Sequence, residues 1–563
     1  MQIWNPIVFS PVNTNILCSA GDPIEKRRII DRDIAHLEES IRILKSCRNE
    51  LSAISCLPVE ILCNIFKFSL TESRRPKSCT NFSQVSQHWR SSALSAPELW
   101  TNISLDYPRW AQEMLIRSKK ANLTIRSYDS LEVKDPRTIE TVRSCLYEMS
   151  RVEKIDFAAI PGETLEEIFR NCPKSAPQLH TLCLRSLSYS KTPFSINDDF
   201  LFDTGNLQRV GLINCKISWD SRLLTGLTYL NLQNSLKWNS GSSIIQVLQA
   251  LQRMPSLTGL HLIDSIPDNE EGPFPYAVLD LPCLRVLHLS SGVGAVTTIL
   301  RHINFPRSAI IYLTCGGNQS IQSDFSCFLS LLATKFLSTL VIRNLRLQVP
   351  RTANGTHDIK FYLWTTAPLQ DSCPTSPSQL RLVLKWPTSQ PHNYAKALVF
   401  GIDAMNLSFL TELQIEVMYY FDSETWVKTF GKLPLLERVC LQRILPPSLL
   451  EALVYKTKAA EKSEAAYLNV SLPKLRNIHL VHIDFWDDIS FDTLLDCLME
   501  RCERNAEIQV LQLEGCSFNS ESSYKVERLK EVVVDVIWDG PSSHRPRVDD
   551  NDLWWWIHLT CQC

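Results

Sequence analysis

Residues 54–70 read ISCLPVEILCNIFKFSL and, beyond a polar, basic stretch at 71–80, residues 82–100 read FSQVSQHWRSSALSAPELW. Pro58 suits a first helical turn, where its missing N–H is no loss. Glu60 then brings negative charge to the helix N-terminus. Ile61, Leu62, Ile65, Phe66 and Leu70 form an apolar face wider than a short isolated helix needs for its own core. The second run is helical in character until Ala96-Pro97 breaks it and a strand-like Ile103-Ser104-Leu105 comes next. A module of about 45 residues is near the lower limit for folding alone, so burial of its surplus apolar face on another protein would stabilise it.

Upstream, residues 1–21 are irregular and punctuated by proline. From Asp22 the chain turns into a charged segment with Ile30, Ile34, Leu37, Ile41, Leu44 and Leu51 at alternating spacings of four and three, and Arg48 in the one polar seam position. That spacing predicts an amphipathic, coiled-coil-like helix over 22–53. Two uses of its stripe are open, packing on the next domain or pairing two chains as a homodimer through residues 30–51.

The stretch at 54–100 resembles an F-box, and most closely the large F-box-like family of basidiomycete fungi. The carriers are Leu57-Pro58-Val59-Glu60-Ile61-Leu62, then Val85-Ser86-Gln87-His88-Trp89-Arg90, then Pro97-Glu98-Leu99-Trp100. Ser86 stands where the family usually has cysteine, and the linker between the first two motifs is long and basic. The resemblance covers about residues 22–126, with the F-box itself at 54–105. It implies a small helical bundle that docks on the Skp adaptor of a cullin ubiquitin ligase. Leu57, Pro58, Glu60, Ile61, Leu62, Ile65, Phe66, Val85 and Trp89 would make that contact, in the manner of a helix seated in a groove.

Beyond residue 150 a pattern Leu-x-x-Leu-x-Leu recurs, from Leu179/Leu182/Leu184 through Leu337/Leu340/Ile342 to Ile508/Leu511/Leu513. Successive starts in the first half lie 28, 20, 30 and 27 residues apart, and helical runs such as Ile244–Met254 and Phe491–Arg504 fill several intervals. Wider gaps leave room for degenerate units near Ile311 and Leu380. A strand plus a helix at such periods is the leucine-rich-repeat signature, and its units stack into a solenoid with a shared core. The capping asparagine of the strict motif is met at Asn214, Asn234 and Asn344. The expected fold class is therefore α/β, an N-terminal helical F-box module followed by an irregular leucine-rich-repeat solenoid over 106–535. An acidic, tryptophan-rich tail, 536–563, carries Trp554-Trp555-Trp556 and is expected to cap the open end.

Residues flanking the repeated leucines alternate onto the opposite, concave face of such a sheet. This places Arg185, Arg209, Tyr229, Asn231, His261, His288, Arg343, Arg438 and His479 on a surface for an unknown protein target. The expected function is that of a substrate-recognition subunit of an Skp–cullin–F-box ubiquitin ligase. A scaffold that binds the adaptor without ubiquitin ligation is the alternative.

Composition excludes other classes. Fifty-eight basic against 60 acidic residues give a formal net charge of −2, with no global attraction for nucleic acid or acidic membranes. Nineteen cysteines, an odd number, are scattered singly, and the N-terminus has no basic region ahead of an apolar run. Cytoplasm or nucleus is the expected location, with no membrane span. Only 17 glycines are present, and the best phosphate-loop candidate, Gly292-Val293-Gly294 leading to Thr297, lacks its third glycine and a ribose-binding carboxylate. Asp484, Asp487 and Asp488 read as helix-capping carboxylates. No cofactor, metal or catalytic residue is expected, and the chain is read as a non-catalytic subunit.

Overall fold

The computed structural model describes residues 22–72, 78–127, 136–187, 193–197, 199–235, 242–267, 278–317, 321–350, 356–365, 378–387, 394–417, 421–454, 471–485, 488–518 and 522–540. The expected irregular N-terminus, Asp487 and the Trp554–Trp556 tail lie outside the described residues. The chain divides into two compact units, one of residues 1–184 with 199–206, the other of 185–198 with 207–563. The boundary expected near residue 106 thus falls inside the first unit.

The first unit opens with α1 (Pro23–Glu50), 28 residues long, started by Asp22, whose carboxylate accepts from the Ile24 amide at 3.1 Å. Then come α2 (Val59–Glu72), α3 (Ser78–Ser83), α4 (Gln87–Ser95) and a 3-10 turn, Pro97–Trp100. A strand–helix alternation continues the unit: β1 (Asn102–Ser104), α5 (Pro108–Arg117), β2 (Leu123–Ser127), α6 (Pro136–Tyr147), β3 (Val152–Ile160) and α7 (Gly162–Arg170). β1 pairs β2 and β2 pairs β3, all parallel. The division between the units falls within β4 (Thr181–Ser186).

In the second unit, chain order gives β5 (Phe194–Ile196), β6 (Arg209–Ile213), β7 (Cys215–Ile217), β8 (Tyr229–Gln233), α8 (Ile244–Gln252), β9 (Gly259–Ile263), β10 (Leu279–Asp280), β11 (Val286–Gly292), α9 (Val293–His302), β12 (Ile303–Asn304) and β13 (Ile310–Gly316). Next are α10 (Ile321–Lys335), β14 (Asn344–Val349), β15 (Thr356–Trp364), β16 (Leu380–Pro387), α11 (Tyr394–Asp403), β17 (Glu412–Val417), α12 (Ser423–Phe430), β18 (Arg438–Gln442) and α13 (Pro447–Val454). The last elements are β19 (Asn477–Val481), β20 (Asp484–Phe485), α14 (Asp488–Glu503), β21 (Val510–Glu514), β22 (Ser517–Phe518), α15 (Ser522–Lys530) and β23 (Asp535–Trp538). The large sheet runs in parallel from β6 through β8, β9 and β11 to β13, and again from β14 through β17, β18, β19 and β21 to β23. Consecutive helices α8 to α14 pack side by side. The repeated leucines, such as Leu230, Leu232, Leu260, Leu262, Leu287 and Leu289, are wholly buried beneath them. Three short parallel pairs, β5 with β7, β10 with β12 and β20 with β22, lie apart from the main sheet.

A local device recurs in this unit. The residue directly after β6, β8, β9, β18, β19 and β21 has positive φ: Asn214, Asn234, Asp264, Arg443, His482 and Gly515. Each kinks the chain out of the sheet, and asparagine, aspartate and glycine tolerate that left-handed conformation best. Asn214 Nδ2 donates to the Ser186 carbonyl at 2.8 Å, and Asn234 Nδ2 donates to Asn214 Oδ1 at 2.9 Å. Asn344, expected as a third such residue, is instead the buried first residue of β14.

The middle of the sheet departs from simple stacking. β13 is followed in space by β16, then β15, then β14, and only then β17, so three strands enter in reversed order with β15 antiparallel to both neighbours. The instance expected at Leu337/Leu340/Ile342 is a 3-10 turn, Leu337–Thr339, and extended chain ahead of the strand. Its role passes to Ile342, Leu345 and Leu347, because the register sets Leu345 against Leu413 and Leu347 against Ile415. Arg343, expected on the target face, therefore precedes the strand and is exposed. The Gly292–Thr297 stretch is the start of α9, where the Thr297 and Thr298 hydroxyls donate to Val293 and Gly294 carbonyls.

Candidate functional site

Two surfaces gather most of the predicted contact residues, one in each unit. On α2 the side chains divide into two stripes. Leu62 and Phe66, 0% and 1% exposed, point into the module, where Phe66 stacks on Phe82 at 4.5 Å and meets the Trp89 ring at 5.1 Å. Cys63 Sγ donates to the Ser92 carbonyl, and Lys67 pairs with Glu98. Trp100 is wholly buried, its indole N–H donating to the Ala93 carbonyl at 2.8 Å. Ser86 holds more than space: its hydroxyl accepts from the Trp89 amide at 3.1 Å and caps α4.

The opposite stripe is open. Ile61 is 47% exposed, Ile65 38% and Phe68 75%, with Pro58, Val59 and Glu60 exposed just before them and Val85 beyond. Leu57 and Trp89 are half-buried. Of the residues expected at the contact, Leu62 and Phe66 are thus core, because their side of α2 is the one packed on α3 and α4. Phe68 and Val59 were missed. The signal for Phe68 was present, since Ile61, Ile65 and Phe68 are spaced i, i+4, i+7 and make a stripe of their own.

The second surface is the sheet face away from the helices. The register aligns one row across the second unit: Asn231, His261, His288, Tyr312, Arg381, Tyr362, Arg346, Gln414, Cys440, His479 and Gln512. Arg209 lies 4.5 Å over the Tyr229 ring, and ring contacts then run from Tyr229 to His261 (5.2 Å), His288 (5.8 Å) and Tyr312 (5.7 Å). Arg381 sits 5.2 Å over the Tyr362 ring. Burial, with Arg209 adding repulsion, lowers the His261 pKa to about 4, and burial with His261 and Arg381 lowers that of His288 to about 3. Both rings are neutral at pH 7.

In the neighbouring row, opposite Gln348, Glu416 is buried but doubly paired, with Arg346 at 2.8 Å and Arg443 at 3.2 Å, and it accepts from Gln348 at 3.1 Å. His479 Nε2 meets Glu514 at 3.1 Å. Burial pushes the neighbouring Cys440 thiol up to about 12, so it stays protonated and is no nucleophile. Arg438 is half-buried in the adjoining row, opposite Glu412 and Asn477, and Arg185 is half-buried on β4. Tyr312, Arg381, Tyr362 and Arg346 are the members sequence reasoning missed, since their strands fall where the leucine pattern lapses. Among the described residues no group of three or more His, Cys, Asp or Glu side chains is placed to hold a metal ion, and no helix is long and apolar enough to cross a membrane.

Residues 54–106 match the family model described as F-box-like, under a tenth of the chain. No curated protein is similar enough to the chain to count as a match. The helical module at 54–106 is thus an F-box-like domain, which points to an adaptor-binding role in ubiquitin ligase complexes; the remainder of the chain is a mixed α/β array around a large sheet.

Proposed function

We propose that the chain is the target-recognition subunit of an Skp–cullin–F-box ubiquitin ligase. The observation that carries this is the apolar stripe Ile61, Ile65 and Phe68 on α2 of the F-box-like domain, with Pro58, Val59 and Val85 exposed beside it, left open to solvent by a module whose core packs on Leu62 and Phe66 of the same helix. Burial of such a stripe in an adaptor groove removes its water contact and stabilises the small module. The chain itself contributes no covalent chemistry in this reading; it raises the local concentration of a target protein beside the enzyme that carries ubiquitin.

The second unit supplies the target surface. The left-handed residue after six strands, the Asn214–Asn234 pair and the parallel strand ladder support a divergent leucine-rich-repeat array interrupted by the β14–β16 meander. Target contact is assigned to the half-buried Arg209, Tyr312, Arg381, Tyr362 and Arg346 of this face, residue types that anchor protein interfaces, while Tyr229, Asn231, His261 and His288, expected at the contact, are buried and support it from within. The family of basidiomycete F-box-like proteins and a cytoplasmic or nuclear location complete the proposal.

Co-purification with the Skp adaptor tests it. An Ile61→Ala/Ile65→Ala/Phe68→Ala variant removes exposed side chains only, so it keeps its fold while adaptor capture falls at least about 100-fold. Unchanged capture by that variant, or no capture by the native chain, would sink the adaptor reading. Adaptor capture without cullin recruitment would leave a scaffold.

A further inference from the structure

We propose that the chain forms a parallel, in-register homodimer through α1. The helix is unbroken from Pro23 to Glu50, yet it leaves Ile34, Ile41 and Leu44 between 45% and 50% exposed, with Leu51 at 85% directly after it. Ile30 and Leu37 are half-buried, so the chain itself covers only part of the stripe. Set on a heptad, the spacing puts Ile34 and Ile41 at a positions and Ile30, Leu37, Leu44 and Leu51 at d positions. β-branched residues at a with leucine at d is the combination that packs as a parallel two-stranded coil. Such a seam is self-complementary, each layer meeting its own copy across a two-fold axis, so a second copy of this chain is the occupant the pattern fits.

The ends of the seam fix the register. Arg27 and Arg48 occupy the a positions before and after the apolar run. In register, five consecutive apolar layers from Ile30 to Leu44 pair without interruption. A shift by one heptad sets an arginine against an isoleucine and loses layers, which is how a polar residue at a specifies alignment. The intrahelical ion pairs Glu25–Arg28 and Glu39–Arg42 lie on the b and f positions, away from the seam. On one flank Ser40 is buried within the chain, its hydroxyl bonded to the His36 carbonyl, so the partner helix approaches over the a, d and e positions. Pairing would hold two F-box-like domains and two target surfaces on one particle, a bivalency that does not depend on which adaptor or target they bind.

The test uses the full chain. Its mass in solution is measured by light scattering over a range of concentrations, natively and as Ile34→Lys/Ile41→Lys. Each substitution strikes both copies, so the double variant dissociates about 100-fold more readily while its thermal unfolding is unchanged. Orientation is read from Leu44→Cys in a Cys47→Ser background under mild oxidation, with the background alone as control for the other cysteines. Two d-position cysteines face each other only in the parallel arrangement, and a disulfide-linked dimer absent from the control supports the proposal. It is overturned by a one-chain mass at every concentration, or by a dimer indifferent to the two lysines. It is equally overturned by cross-linking between Ile34→Cys and Leu44→Cys chains without cross-linking of Leu44→Cys alone, the antiparallel result.

Discussion

His261 and His288 stand side by side in the sheet row as neutral rings, each 5–6 Å from the next aromatic. Their folded pKa values, about 4 and about 3, lie below the ordinary 6.5. The unfolded chain therefore binds more protons as pH falls, and stability is full above pH 6.5 and is lost between there and the folded values. At pH 5 the loss is about 2 kcal/mol per histidine. A His261→Gln/His288→Gln variant starts lower at pH 7 but falls much less between pH 7 and 5; urea midpoints at the two pH values measure this, and parallel slopes would contradict it. Gly259, opposite Tyr229 in the neighbouring row, serves the same face by its lack of a side chain. A Cβ there would sit 2.6 Å from the Tyr229 ring, so Gly259→Ala must push the tyrosine off Arg209 and His261, at a cost of about 1–3 kcal/mol in the same assay.

At the scale of elements, caps and clamps decide which segments hold. Ser86→Ala removes the hydroxyl that accepts from the Trp89 amide, and the loss of that cap lowers the stability of the F-box-like domain by about 1 kcal/mol. Arg501 is a stronger case. Wholly buried, it donates to the carbonyls of Leu453, Ser471, Leu472 and Ala506 at 2.9–3.1 Å, tying the end of α13 and the chain before β19 to α14. Burial lowers its pKa only to about 10, so it remains charged. Arg501→Met leaves these carbonyls without their shared donor and costs about 3–5 kcal/mol, and Arg501→Lys, lacking the planar fork, recovers less than half. Chemical denaturation checks both. The helices and most parallel strands were legible because their apolar spacing is local: α8 and α14 fall within a few residues of the runs Ile244–Met254 and Phe491–Arg504 that predict them. Which stripe of α2 faces outward was not, since Leu62 and Ile61 are equally apolar and only packing on α3 and α4 separates them. Nor was the reversal of β14, β15 and β16, because strand order is set by pairing between distant segments and leaves no period in the sequence.

Two units with their own cores let the two proposed contacts be damaged separately. The stripe proposed for the adaptor belongs to the first unit and the sheet face of Arg209, Tyr229 and His261 to the second. Substitutions in groups that share no partners act additively. An Arg209→Ala/Arg381→Ala variant takes two cations from the sheet face, and it should leave adaptor affinity within about twofold of native, a change of no more than about 0.5 kcal/mol. The Ile61→Ala/Ile65→Ala/Phe68→Ala variant should leave proteins captured by the sheet face unchanged. On the proposed function, ubiquitin transfer would depend on both contacts at once, since either loss removes the proximity of target and donor. Each variant should therefore abolish transfer while sparing the other's binding. The decisive comparison is adaptor affinity measured on both: a fall of tenfold or more in the arginine variant would mean that the two surfaces are one coupled site, and the division of labour between the units would have to be abandoned.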